Sequence, residues 1–156
     1  MAVHHLHTEI EIEASKERVW ASLLDFVSYP QWNPFIRSVV GVAQPGARHQ
    51  ITLRPSGGRA IRFSPVVLVA EAGRELRWLG RFLIPGLFDG EHSFVIDPLP
   101  DGKVRFQQNE RFSGILVGLF RASLERDTRR GFEEMNRALK TIAEQDGQVR
   151  AEEGQA

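Results

Sequence analysis

The sequence predicts an α+β domain in which a curved antiparallel sheet of about seven strands wraps one long C-terminal helix. Three observations carry this prediction. Past a short helical stretch, segments with apolar residues at every second position succeed one another as far as Phe112. They are separated by turn-forming clusters such as Gln44-Pro45-Gly46, Pro55-Ser56-Gly57-Gly58 and Pro98-Leu99-Pro100-Asp101-Gly102. No helix alternates with these strands, which argues against a parallel, nucleotide-binding sheet. Finally, Leu116, Phe120, Leu124, Phe132, Met135, Leu139 and Ile142 form one stripe at helical spacing, and the concave face of the sheet is the place to bury it.

Each element follows from local pattern. Leu6, Thr8, Ile10 and Ile12 share one parity against His5, His7, Glu9, Glu11 and Glu13, so the chain opens with a half-buried strand. Ser15 is an N-cap for a helix carrying Val19, Trp20, Leu23 and Leu24 on one face and ending near Phe26. A second helical turn over Ser28 to Trp32 stops at Asn33-Pro34. Strands are expected at Ile36 to Val42, around His49 to Leu53, at Arg59 to Glu71, Glu75 to Arg81, Gly90 to Asp97 and Lys103 to Ser113. The 59–71 segment is apolar at both parities, so its facing stays open; a bulge at Pro65 would account for it. Arg121, Glu125, Arg129, Glu133 and Arg137 lay a ladder of i,i+4 charge pairs along the last helix. The domain spans residues 1–143 on this reading, with 144–156 a polar, frayed tail.

Composition removes several function classes. A chain of 156 residues, 42% hydrophobic and 26% charged, buries a core without staples. Lys plus Arg and Asp plus Glu each number 20, so no bulk field recruits nucleic acid. There is no cysteine, which excludes disulfides, thiol nucleophiles and cysteine-ligated metals. His5 and His7 share a face with Glu9, but a solvated strand explains them better than a metal site. No cofactor motif is present. The start, Met1-Ala2-Val3-His4-His5, lacks the regions of a signal peptide, and no apolar run approaches the roughly 18–20 residues of a transmembrane segment. A cytoplasmic protein is expected.

Five segments carry a family likeness: Ala14-Ser15-Lys16-Glu17-Arg18-Val19-Trp20, Tyr29-Pro30-Gln31-Trp32-Asn33-Pro34-Phe35, Leu76-Arg77-Trp78, Gly86-Leu87-Phe88-Asp89-Gly90-Glu91-His92 and Glu110-Arg111-Phe112-Ser113-Gly114. With the element order, they resemble the START-like or Bet v 1-like helix-grip superfamily, and more narrowly its polyketide cyclase/dehydrase-type branch, over residues 3–143. The resemblance implies a cavity between sheet and helix, entered near the loops and the first turns of that helix. It implies an apolar small-molecule partner, such as a lipid, quinone or polyketide.

The residues add a candidate lining. If the hairpin between Gly90 and Ser113 turns at Pro100-Asp101, His92 faces Glu110, Phe94 faces Gln108, Ile96 faces Phe106 and Gly90 faces Phe112, all inward; a shift of two would put His92 opposite Gln108 instead. The expected ligand-binding residues are Trp78, His92, Phe94, Phe106, Gln108, Glu110, Phe112, Phe120 and Leu124. Phe82, Leu83, Leu87 and Phe88 would form the entrance, gated together with a first helical turn loosened by Gly114 and Gly118. A carboxylate beside a histidine holds its tautomer and raises its basicity, the equipment for removing a proton next to a carbonyl. The same pair serves equally to satisfy itself or to orient a polar ligand head. Three functions therefore stand in order: a carrier or sensor of an apolar molecule, a cyclase or dehydratase using His92 and Glu110, and a protein-interaction module. His49 heads another inward strand face, and Arg62 would meet an acidic ligand if it faces in.

Overall fold

Alternation in the first segment becomes β1 (Ala2–Ile12), with Leu6, Thr8 and Ile12 buried. The computed structural model describes residues 2–82 and 84–155, with side chains as far as residue 145. Ser15 Oγ accepts from Arg18 N at 3.2 Å and starts α1 (Lys16–Leu24), which buries Val19 and Leu23. A single 3₁₀ turn leads to α2 (Tyr29–Trp32), and Tyr29 donates its hydroxyl to Leu23 O, pinning the two short helices together. Asn33 ends α2; its Oδ1 accepts from Phe35 N at 3.0 Å and Ile36 N at 2.9 Å, so the chain turns sharply.

The remaining strands are β2 (Ile36–Val40), β3 (Gln50–Leu53), β4 (Ile61–Phe63), β5 (Val66–Glu71), β6 (Glu75–Phe82), β7 (Phe88–Pro98) and β8 (Val104–Gly114). They form a five-stranded sheet in the order β1-β8-β7-β6-β5 and a three-stranded sheet β2-β3-β4, antiparallel throughout. Bonds from Gly46 N to Val67 O, Val67 N to Ala47 O and His49 N to Pro65 O, all 2.8–2.9 Å, stitch the sheets into one curved surface. The segment expected as one strand over 59–71 is two, broken at Ser64-Pro65 because proline cannot donate to a ladder. A register shift between Val67 and Val69 resolves the facing: Val67 is buried and Leu68 exposed.

The last element comprises α3 (Val117–Ser123), a π-helical turn over Leu124–Thr128, and α4 (Arg129–Gln155). The helix thus continues through the region expected to fray. Phe132, Met135, Leu139 and Ala143 pack it into the concave face. Gly131 permits the closest approach: a Cβ there would overlap the Phe35 ring. Of the predicted charge ladder only Glu125–Arg129 closes, at 3.0 Å, among the described residues. Arg121, Arg129 and Lys140 instead donate to Val3 O, His7 O and Glu11 O at 3.4, 2.9 and 3.0 Å. The helix thereby covers outward carbonyls of β1, the edge strand, which would otherwise invite another chain to pair. No described helix is long and apolar enough to cross a membrane.

Candidate ligand cavity

Strand parity and register set the interior out in rows. Cα partners Trp78–His92, His92–Glu110 and Glu110–Leu6 carry one row across β6, β7, β8 and β1. The next row toward the open end is Gly80–Gly90–Phe112–His4, and the next toward the closed end is Leu76–Phe94–Gln108–Thr8. The hairpin turns where Asp101 and Gly102 both take positive φ, 67° and 74°, which sets His92 opposite Glu110.

A cavity of about 620 Å³ lies between these rows and the helix. It is in the range of small-molecule sites, roughly 300–1,000 Å³. Trp78, His92, Glu110, Phe112, Phe120 and Leu124 border it, as do Phe82 and Phe88 near its opening. Phe94, Phe106 and Gln108, expected among the ligand-binding residues, do not border this cavity. They face inward, but α4 closes onto that part of the sheet and all three are fully buried. Gln108 Nε2 donates to Asn136 Oδ1 at 2.7 Å and Phe132 O at 3.2 Å, while Asn136 Nδ2 donates to Thr8 Oγ1 at 3.0 Å. This network ties helix to sheet beneath the cavity.

Leu87, expected at the entrance, does not border the cavity; its carbonyl accepts from Leu116 N at 3.1 Å, and Ile115 N reaches Gly86 O at 3.2 Å. Gly114 is required for this join, because a Cβ on it would run into Leu87 O. The 86–87 turn and the start of α3 are therefore fastened together where a loose joint was expected. Leu83 lies outside the described residues. Lining residues that parity did not reveal come from the smaller sheet and the residue before it (Phe35, Leu53, Ile61, Phe63) and from the end of α3 and the π turn (Ser123, Asp127, Thr128). The Asn33 turn that aims Phe35 inward was legible in Asn33-Pro34; the π turn has no sequence signature.

His92 is the polar centre. Its Nδ1–H donates to Glu110 Oε2, and the two side chains are nearly buried. Its ring stacks on Trp78 at 5.5 Å and 24°, with Phe94 at 4.3 Å and Phe132 at 4.9 Å. In the neutral ring, with Nδ1–H committed to the carboxylate, the lone pair is at Nε2. Nε2 is buried and has no protein partner. Gly90 makes room for this pair: a Cβ there would fall 2.5 Å from Glu110 Oε1.

His4, His7 and His49 are engaged elsewhere. His49 is wholly buried behind Trp78, its Nε2 donating to Val42 O at 2.7 Å; a solvent-bonded ring was the simpler expectation. His4 meets Glu125 at 2.9 Å, and His7 bonds Asn109 with Glu9 at 3.5 Å. Among the described residues no three of His, Cys, Asp and Glu are placed to hold a metal ion. Arg62 is exposed and outside the lining.

A curved sheet gripping a helix around an apolar hollow defines the helix-grip class, a fold that binds apolar ligands. The chain belongs to the polyketide cyclase/dehydrase and lipid transport family, whose model matches residues 3–144. No curated protein matches it in sequence. Among solved structures it is similar to the di-domain aromatase/cyclase StfQ of the steffimycin biosynthetic pathway, with a TM-score of 0.75 and 14% identity over 93% of this chain. It spans about half of that protein, 52%. The Zhui aromatase/cyclase from Streptomyces sp. R1128 gives a TM-score of 0.74 at 14% identity, covering 92% of this chain and 94% of that one. A START superfamily protein from Mycobacterium smegmatis gives 0.66 at 21%, covering 91% and 98%.

Proposed function

We propose that this chain binds an apolar, largely aromatic small molecule in its cavity as a carrier or sensor, with the molecule's polar end held at His92 Nε2. One observation carries the reading: His92 borders an aromatic-walled hollow, and its buried Nε2 has no protein partner among the described residues. Such an orphan costs about 1–3 kcal/mol, which a ligand hydroxyl donating to it would recover. Six phenylalanines and Trp78 among the lining named above supply faces and edges for a ring system.

A second reading rests on the same pair. A histidine whose tautomer is set by a carboxylate is arranged to take a proton from a carbon next to a carbonyl, the opening step of an aldol cyclisation or dehydration. Aromatase/cyclases share the fold, which suits this reading without deciding it.

Native mass spectrometry of the full chain purified from its own host tests the proposal. An adduct of small-molecule mass that dissociates on denaturation is expected; protein at its bare mass across repeated preparations contradicts it. His92→Ala then separates the readings. Loss of the adduct supports the carrier, whereas a retained adduct with lost conversion supports the enzyme.

A further inference from the structure

The cavity opens between the β3–β4 hairpin and α3, and its surroundings are unusual in two independent ways. Large apolar side chains gather there and point outward. Ile61 and Phe120 border the cavity yet are 43% and 44% exposed, while Ile84, Ile115 and Leu119 beyond them are 63%, 70% and 77% exposed. Ile84 is brought to the other two by the bonds from the 86–87 turn to Ile115 and Leu116. A monomer that leaves such a cluster at a cavity mouth has a use for it.

Charge is segregated in the same place. The segments that frame the mouth, residues 54–64, 79–88 and 112–124, contain Arg54, Arg59, Arg62, Arg81 and Arg121 and no carboxylate. None of the five arginines forms an ion pair among the described residues. The two acidic residues of the π turn are already paired, Asp127 with Arg126 at 2.9 Å and Glu125 with Arg129 at 3.0 Å. A chain of zero formal net charge thus concentrates positive charge around an apolar ring.

We infer that this mouth docks on an anionic lipid bilayer, Ile84, Ile115 and Leu119 entering the interface while Arg54, Arg59, Arg62 and Arg81 face the headgroups. Both features fit that occupant. A surface of anionic headgroups attracts each nearby arginine, and side chains of this size reach the acyl boundary. A protein partner needs about 20–30 residues a side, far more than this cluster offers. Docking would also join the cavity to the bilayer interior, so an apolar ligand would pass between them without crossing water.

Vesicle flotation of the full chain tests the inference. Vesicles of phosphatidylcholine alone are compared with vesicles in which about one third of the lipid is phosphatidylglycerol. Binding to the anionic vesicles only is expected, weakened at least about tenfold between roughly 0.05 and 0.5 M salt. Ile84→Asp and Leu119→Asp, both at exposed positions, should each weaken it about tenfold or more, and Val27→Asp, exposed on the 3₁₀ turn before α2, should leave it unchanged. Failure to float with anionic vesicles, or equal flotation of Leu119→Asp, overturns the inference. So does a concentration-dependent dimer that Leu119→Asp dissociates without any vesicle binding. Cavity binding is read separately by native mass spectrometry, so either reading can fail while the other stands.

Discussion

Gly90 on β7 and Glu110 on β8 are matched by shape: the space a Cβ would take on Gly90 is held by Glu110 Oε1, whose partner oxygen accepts from His92 Nδ1. The pair at the cavity's polar centre therefore depends on a residue with no side chain. Gly90→Ala should push the carboxylate aside and weaken ligand binding about tenfold or more, with a stability loss of about 1–3 kcal/mol from overpacking. Ring-nitrogen NMR of His92 checks the cause. Loss of the Nδ1–carboxylate signature is expected, and an unchanged His92 signal would show that Gly90 is merely close.

Glu110→Ala should leave the His92 ring without a partner at either nitrogen in a largely apolar site, at a cost of about 1–3 kcal/mol in urea unfolding. Glu110→Gln keeps an acceptor for Nδ1–H, so it should recover much of that stability. It would lose the carboxylate charge beside the ring, and with it any proton abstraction that depends on that charge.

Gly131→Ala gains about 1 kcal/mol of helix propensity but drives a methyl into the Phe35 ring. Since that ring is 3% exposed and wedged against Phe132 at 5.7 Å, the clash should prevail, with a net loss of about 1–2 kcal/mol in denaturant unfolding. Phe35 borders the cavity, so ligand affinity should change as well.

The Thr8–Asn136–Gln108 network should behave as a unit. Asn136→Leu alone removes one of the two acceptors of Gln108 Nε2 and the side-chain donor to Thr8 Oγ1, costing about 1–3 kcal/mol. Combining it with Gln108→Leu should cost less than the sum of the two single changes, which a double-mutant cycle in urea measures.

Acid should weaken the clasp between the π turn and β1. The hydrogen bond from Arg129 holds the Glu125 carboxyl below its usual range. Its contribution is therefore complete above the ordinary value of 4.5 and fades as pH falls through the lower folded value. Glu125 is largely solvated, so the effect is under about 1 kcal/mol. The urea midpoints of the parent and Arg129→Gln should converge as pH drops to about 3.

Strand parity made the His92–Glu110 pairing legible, because a turn centred on Pro100-Asp101 admits few registers and a slip of one residue would expose Phe94 and Phe106. Ser15, Asn33 and Pro65 announced the boundaries they make. Depth was not legible. Parity says that Phe94, Phe106 and Gln108 face inward but not where α4 presses down, since that is set by Gly131 meeting Phe35 from a distant element. Nor did any residue type signal the π turn that brings Asp127 and Thr128 to the cavity. His49 reads as a strand-end residue, and its complete burial comes from Gly41, Phe26 and Trp78, which pack around its ring.

On the proposed function, a ligand's polar end donates to His92 Nε2 inside the cavity. Titration of the ¹⁵N-histidine-labelled chain with 2-naphthol, a planar phenol, followed at the ring nitrogens, tests it most directly. A saturable shift at His92 Nε2, with the exposed rings of His5 and His7 unmoved, is the predicted result. Shifts absent at His92, or equal at all three, would contradict the account.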